Sequence, residues 1–258
     1  MHQLLLKGQS IGPIKGVLFD KDGTLVNSEK YLLEISNLRI EEAARVLEED
    51  GADIEKINRV KNLLALAYGV DKTSIDPEGL IAIASKNNNL ISTATIISLT
   101  GESWPNAIMK ATKIFNEVDQ IEISMQDLHK KREIIPGVKG FLNKLQAAEL
   151  TCALISNDTK DGIIRFLESN RLERIIKIFW SAEDSPPKPD PYSVKALCKS
   201  INLKPSECAL IGDADSDLRM ARQAGIGITI GYTGGWSTRP LLTQQEYLIE
   251  NWDDLSIQ

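Results

Sequence analysis

The chain has 258 residues, 42% of them hydrophobic, enough to bury one large core or two smaller ones, which excludes a fibrous or disordered class. Its formal net charge of −6 argues against binding a nucleic-acid backbone, since that affinity comes largely from Lys and Arg neutralising phosphates. Cys152, Cys198 and Cys208 show neither ligand spacing nor a disulfide framework, as in a reducing cytoplasm. Residues 1–20 lack a signal-peptide pattern, and no run of about 18 apolar residues is present, so no membrane partner is expected.

Lys15 to Phe19 is a short apolar run that ends on Asp20-Lys21-Asp22-Gly23-Thr24, a buried strand with an acidic turn at its carboxyl end. From about Ser28 to Glu133 the pattern is helical. Glu29 to Glu49 places Leu32, Ile35, Leu38, Ala43, Val46 and Leu47 on one face, and Gly51 is positioned to end that helix. Asp76-Pro77-Glu78 reads as a helix start, with Asp as cap and Pro at the first position. Asn87-Asn88-Asn89 reads as a turn. Leu90 to Leu99 reads as helix, although its isoleucines and threonines would suit a strand.

Strand and helix alternate in the remainder. Leu150 to Ile155, Cys208 to Ile211 and Ile226 to Ile230 are strand-like, and Ile175 to Trp180 is either a strand or the end of a helix. Val138–Ala148, Gly162–Asn170, Pro191–Ser200 and Asp217–Gln223 are helical. The fold class is therefore α/β, a Rossmann-like parallel sheet with helices on both faces. An all-helical domain over 28–133 is inserted into a core made of 1–27 and 134–258.

In an open parallel sheet, ligands sit outside the carboxyl ends of the strands where strand order reverses. The three polar tips, Asp20-Lys21-Asp22, Ser156-Asn157-Asp158 and Gly212-Asp213, can then face one cleft with Asp217 nearby. Several carboxylates cannot crowd together ionised without a cation, and an all-oxygen set suits magnesium. Asp20 and Asp22 lie on the same side of an extended chain, suited to a nucleophile and an acid/base partner. Ser156, the backbone amides after Asp20 and Lys188 are candidate donors to a phosphoryl group. Lys188 lies in the proline-rich segment Ser185-Pro186-Pro187-Lys188-Pro189-Asp190-Pro191, just before a helix.

Four segments taken together resemble the haloacid dehalogenase-like hydrolases. They are Asp20-Lys21-Asp22-Gly23-Thr24, Leu154-Ile155-Ser156-Asn157, Lys188-Pro189 and Gly212-Asp213-Ala214-Asp215-Ser216-Asp217, in the family's order. The resemblance implies that Asp20 is nucleophile and metal ligand, Asp22 acid/base and backbone-carbonyl ligand, and Asp213 a ligand. Ser156 and Lys188 would hold the phosphoryl group, with Asn157 beside them. Asp217 would ligate the metal or act as an outer carboxylate. Asp215 matches no motif position. The insertion resembles the family's helical cap, which selects substrates.

The implied activity is a magnesium-dependent phosphatase acting on a small phosphate ester of the phosphoglycolate or sugar-phosphate class. A phosphomutase or a non-catalytic magnesium- or phosphate-binding protein is the alternative, and a homo-oligomer is compatible with the sequence. Blander roles remain open as well. Ser156 can cap the following helix, and Asp213 and Asp217 can balance a helix dipole. His2 and His129 read as inert, the latter in a charged linker over 127–133. Trp104, Trp180, Trp236 and Trp252 read as packing residues. Lys21 should point away from its two neighbours, to bind phosphate or face solvent. Lys21→Ala is expected to lower activity less than Asp20→Asn; equal losses in folded protein, measured by steady-state kinetics, would contradict that orientation.

Overall fold

The computed structural model describes residues 2–124 and 132–258. The chain divides into two compact units, residues 1–27 with 134–258, and residues 28–133.

The first unit begins with a hairpin, β1 (His2–Leu6) and β2 (Gln9–Ile14). Its two-residue turn, Lys7-Gly8, has positive φ at both positions, 50° and 80°, matching the primed turns whose twist suits a hairpin. The next strand, β3 (Gly16–Phe19), is buried throughout, and β4 (Val26–Asn27) follows the acidic turn. After the insertion come β5 (Glu133–Ile134) and α6 (Val138–Ala147). The helices α1 to α5 between them belong to the second unit, described below. The alternating part then runs β6 (Thr151–Ile155), α7 (Lys160–Asn170), β7 (Ile176–Trp180), α8 (Pro191–Ser200), β8 (Cys208–Gly212), α9 (Asp215–Ala224) and β9 (Ile228–Tyr232), closing with β10 (Tyr247–Ile249) and β11 (Leu255–Ile257).

Six strands form one sheet in the order β10-β9-β8-β3-β6-β7, and all of its pairings are parallel. Within the segment 175–180, Ile176–Trp180 is strand and Ile175 belongs to the turn before it. Strand β3 enters first, the chain then builds outward through β6 and β7, and it returns to β3's other side through β8 and β9. Strand order therefore reverses at β3, with Phe19 level with Leu154 on one side and Ile211 on the other. Alternation sorts the side chains into two cores. Val17, Phe19, Leu154 and Ile211 join Phe141, Leu145, Ile163 and Phe166 of α6 and α7. Leu18, Ala153, Ile155 and Leu210 join Val194, Leu197, Met220 and Ala221 of α8 and α9.

The hairpin pairs with β11 as a separate antiparallel sheet, β11-β1-β2. Sequence reading took this region only as the absence of a leader. Just before β11, Trp252 is 1% exposed and its ring lies 5.3 to 6.0 Å from those of Tyr232, Phe141 and Phe19. Trp180 lies on β7 and donates from Nε1 to Pro186 O at 2.8 Å.

The second unit contains α1 (Glu29–Glu49), α2 (Ile54–Tyr68), α3 (Leu80–Ile83), α4 (Lys86–Ser98) and α5 (Trp104–Ser124). Positions 31, 35, 39, 43 and 47 of α1 recur every fourth residue and are all buried, and the Arg39 guanidinium lies 4.2 Å from the centre of the Phe115 ring. Gly51, at φ 77°, follows the end of α1.

Three expectations need correction here. Asn87-Asn88-Asn89 is not a turn but the opening of α4, because Ser85 Oγ accepts from Asn88 N at 3.3 Å and caps the helix upstream of the asparagines. Asp76-Pro77-Glu78 does not start a helix. Asp76 closes a turn instead, accepting Glu78 N at its side chain, 2.9 Å, and Gly79 N at its carbonyl, 2.8 Å, so α3 begins only at Leu80. Trp104, the first residue of α5, is not packed but 48% exposed. His129 and most of the linker read over 127–133 lie outside the described residues, and His2 is the partly buried first residue of β1. Trp252→Ala is expected to cost about 3–5 kcal/mol of stability, read from the midpoint of denaturant unfolding, because it empties the ring cluster behind β3.

Candidate active site

Because β3 and β8 are parallel and in step, their carboxyl ends deliver Asp20 and Asp213 side by side, with Asp20 N donating to Ile211 O at 2.9 Å. Asp217 arrives from the first turn of α9. Each of these three buried aspartates offers one carboxylate oxygen, and the three oxygens lie within 4.8 Å of one another. Lys188 reaches them from the loop before α8. Its Nζ lies 2.6 Å from Asp20 Oδ1 and 2.7 Å from Asp217 Oδ1, and it also approaches Ile155 O at 3.4 Å.

Burial, reinforced by Asp217 and Asp22 and opposed by Lys188, pushes the Asp20 carboxyl up to about 6. Burial and then the neighbouring Asp20 and Asp217 push Asp213 well above the usual carboxylate range, against its hydrogen bonds from Trp236 and Thr24. Burial alone would lower the Lys188 ammonium, but Asp20 and Asp217 outweigh it and hold it above the ordinary lysine range. An all-carboxylate oxygen cluster in which Asp20 and Asp213 are held above the usual carboxylate range is the donor set a hard divalent cation would neutralise, so the residues present fit such an ion.

Two further residues hold Asp213. Thr24 Oγ1 donates to its Oδ1 at 2.9 Å, and Trp236 Nε1 donates to its Oδ2 at 2.5 Å. Sequence reading set Trp236 among packing residues and gave Thr24 no separate role. The available signal was Gly234-Gly235 just before Trp236, since a Cβ at Gly235 would lie 1.7 Å from Gly23 O. Gly23 itself has φ 78°, and a Cβ there would lie 2.1 Å from Asp213 Oδ2, so glycine is needed both for the turn and for the approach.

The remaining candidates are placed as follows. Ser156, at the tip of β6, is 2% exposed and its Oγ accepts from Asp158 N at 3.1 Å, which occupies a lone pair and not the hydroxyl proton. It does not cap α7; Thr159 does, accepting Gly162 N at 3.1 Å. Asn157 follows it, partly buried. The Asp22 side chain lies outside the three-carboxylate cluster. Of the amides after Asp20, those of Gly23, Thr24, Leu25 and Val26 donate inside the turn, to Val26 O in the first case and to Lys21 O in the others. Asp215 binds Thr243 and Gln244 amides at 2.8 and 3.0 Å and so fastens a loop. Lys21 neither faces solvent nor stands open to a ligand. Its side chain is 0% exposed, with Nζ 2.6 Å from Asp22 Oδ2 and 2.9 Å from Asp158 Oδ2.

Residues 14–225 match the family model described as haloacid dehalogenase-like hydrolase. Phosphoglycolate phosphatase of Nitrosospira multiformis is 23% identical over 227 residues, covering 86% of each chain. Phosphoglycolate phosphatase 1 of Pseudomonas aeruginosa is 29% identical over 134 residues, 50% of this chain and 48% of that one. The crystal structure of a predicted phosphoglycolate phosphatase from Haemophilus somnus superposes with a TM-score of 0.66 at 18% identity, covering 95% of this chain and 97% of that one, a likeness of fold.

The carboxyl shifts carry a pH signature. A carboxyl whose folded value is raised, as Asp20 is from 3.8 to about 6, contributes stability present below the unfolded value and lost as pH rises through the folded one. The cation-free protein should therefore lose stability from about pH 4 to 6, with a divalent cation restoring it above that range. Calorimetric melting should show a larger cation-induced rise at pH 7 than at pH 5, and a smaller rise in Asp213→Asn.

Proposed function

The chain belongs to the haloacid dehalogenase-like hydrolase family, and we propose that within it the protein is a magnesium-dependent phosphatase that hydrolyses a small phosphate monoester through an aspartyl-phosphate on Asp20. The observation that carries this reading is the trio Asp20, Asp213 and Asp217 at the carboxyl ends of β3 and β8, bridged by Lys188. Magnesium suits the oxygen-only donor set, which Asp20, Asp213, Asp217 and the Asp22 carbonyl would supply. When bound it would offset the charge of the phosphoryl group and the carboxylates around it.

In the first half-reaction an Asp20 carboxylate oxygen bonds to phosphorus while the ester P–O bond breaks, and the Asp22 carboxyl gives its proton to the departing oxygen. In the second, Asp22 takes a proton from water as that oxygen attacks phosphorus. The Asp20–phosphorus bond breaks, inorganic phosphate leaves, and both aspartates return to their starting states. At neutral pH Asp20, raised only to about 6, is largely ionised and so able to attack. Lys188 balances Asp20 and Asp217 and, with Ser156 and Asn157, would hold phosphoryl oxygens.

The relatives named phosphoglycolate phosphatase support a small, acidic phosphate ester as the substrate class. Helices α1 to α5 would carry the residues that choose among such esters. The three cysteines are free, which supports a cytoplasmic setting. The described residues contain no helix long and apolar enough to cross a membrane. Phosphate release from a panel of small esters should require magnesium, stop with EDTA, and fall by about 10³-fold or more in folded Asp20→Asn, whose amide cannot form the intermediate. Magnesium-dependent transfer to a sugar hydroxyl without phosphate release would make the protein a mutase instead.

A further inference from the structure

Lys21 lies between two candidate catalytic aspartates in sequence, yet its ammonium is buried beneath the turn that carries them. Its Nζ lies between Asp22 and Asp158, 5.7 Å from the centre of the Phe166 ring. A buried cation of this kind is tolerated only where an anion compensates for its lost hydration, a part that Asp158 plays while Asp22 carries its proton. The backbone carbonyl of Lys21 meanwhile accepts from Thr24, Leu25 and Val26, so the whole residue is locked at both ends.

Asp158 is held as firmly. Its Oδ1 accepts from Thr159 N at 2.8 Å, and a Cβ at Gly162 would lie 2.4 Å from that oxygen. Gly162, in the first turn of α7, leaves the space that the Asp158 carboxylate occupies. Asp158 also donates its amide to Ser156 Oγ, so the lysine ties the turn of Asp22 to the strand tip of Ser156.

We propose that Lys21 is a positioning residue for the reaction: anchored on Asp158, it fixes the Asp22 carboxyl through one oxygen so that its proton meets the leaving group. This rests on the reading of Asp22 as proton donor given above. Without the anchor, Asp22 samples several rotamers and the proton donor is correctly placed only part of the time.

The test uses Lys21→Met and, because that change takes the ammonium away from Asp158 Oδ2, also Lys21→Met/Asp158→Asn. Each is assayed with p-nitrophenyl phosphate, whose leaving group needs no proton, and with an alkyl phosphate that the native protein hydrolyses. The expected result is a kcat/KM lower by about tenfold or more on the alkyl ester and little changed on the nitrophenyl ester. On the nitrophenyl ester kcat should fall with KM, because water activation by Asp22 follows leaving-group departure. Equal losses of kcat/KM on both esters, or none on either, would overturn the proposal. Melting temperatures of Lys21→Met, Asp22→Asn and their combination separate this from the proposed function. Non-additive changes in a native chain that releases no phosphate would leave the anchor standing and remove only the phosphatase reading, whereas additive changes overturn the anchor whatever the activity.

Discussion

Three carboxylates and one ammonium share the carboxyl ends of β3 and β8, and much of the first unit serves to hold that charge in place. Asp20, Asp213 and Asp217 are each under a tenth exposed, as is Lys188. Their mutual repulsion is borne by neighbours that are themselves tightly held: Lys188 at two distances below 2.8 Å, Thr24 and Trp236 on the two oxygens of Asp213. Such a site is strained in charge and rigid in geometry, the condition under which the proposed cation and phosphoryl group would gain most from binding.

Rigidity comes from the backbone as much as from side chains. Gly23 and Gly235 let the turn after β3 and the loop before Trp236 touch, so that the indole reaches Asp213. Gly162 does the same for Asp158 within α7. At these three positions the missing side chain is the structural contribution, and each one places a carboxylate. A second layer of charge, Lys21 with Asp22 and Asp158, lies behind the first and connects two of the strand tips.

The sheet could be read from the sequence because each of its central strands is an apolar run that stops on polar residues, a pattern with few other readings. Of the helices of the second unit, α1 was visible through the spacing of its apolar residues. What escaped was decided by partners distant in sequence. The hairpin of β1 and β2 is short and mixed in polarity and gains its meaning from β11, more than two hundred residues away. Trp236 looked like any buried tryptophan until its Nε1 was seen on Asp213. Lys21 was expected to point away from its two neighbours, to bind phosphate or face solvent, and only Asp158, placed by β6, explains its burial. Local chemistry misled too: the asparagines of α4 favour turns, but the Ser85 cap ahead of them starts the helix.

The sorting of β3 between two cores has a consequence for how this protein can vary. Val17 and Phe19 face one set of helices and Leu18 the other, and Asp20 follows at once. Inserting or deleting a single residue between Gly16 and Asp20 would exchange the two faces and carry the carboxylate to the wrong side of the sheet. Loops and helices can lengthen or shorten around this strand, but its own residue count is held to parity. Natural variation should therefore gather in the connections, while this four-residue segment changes in identity and not in length.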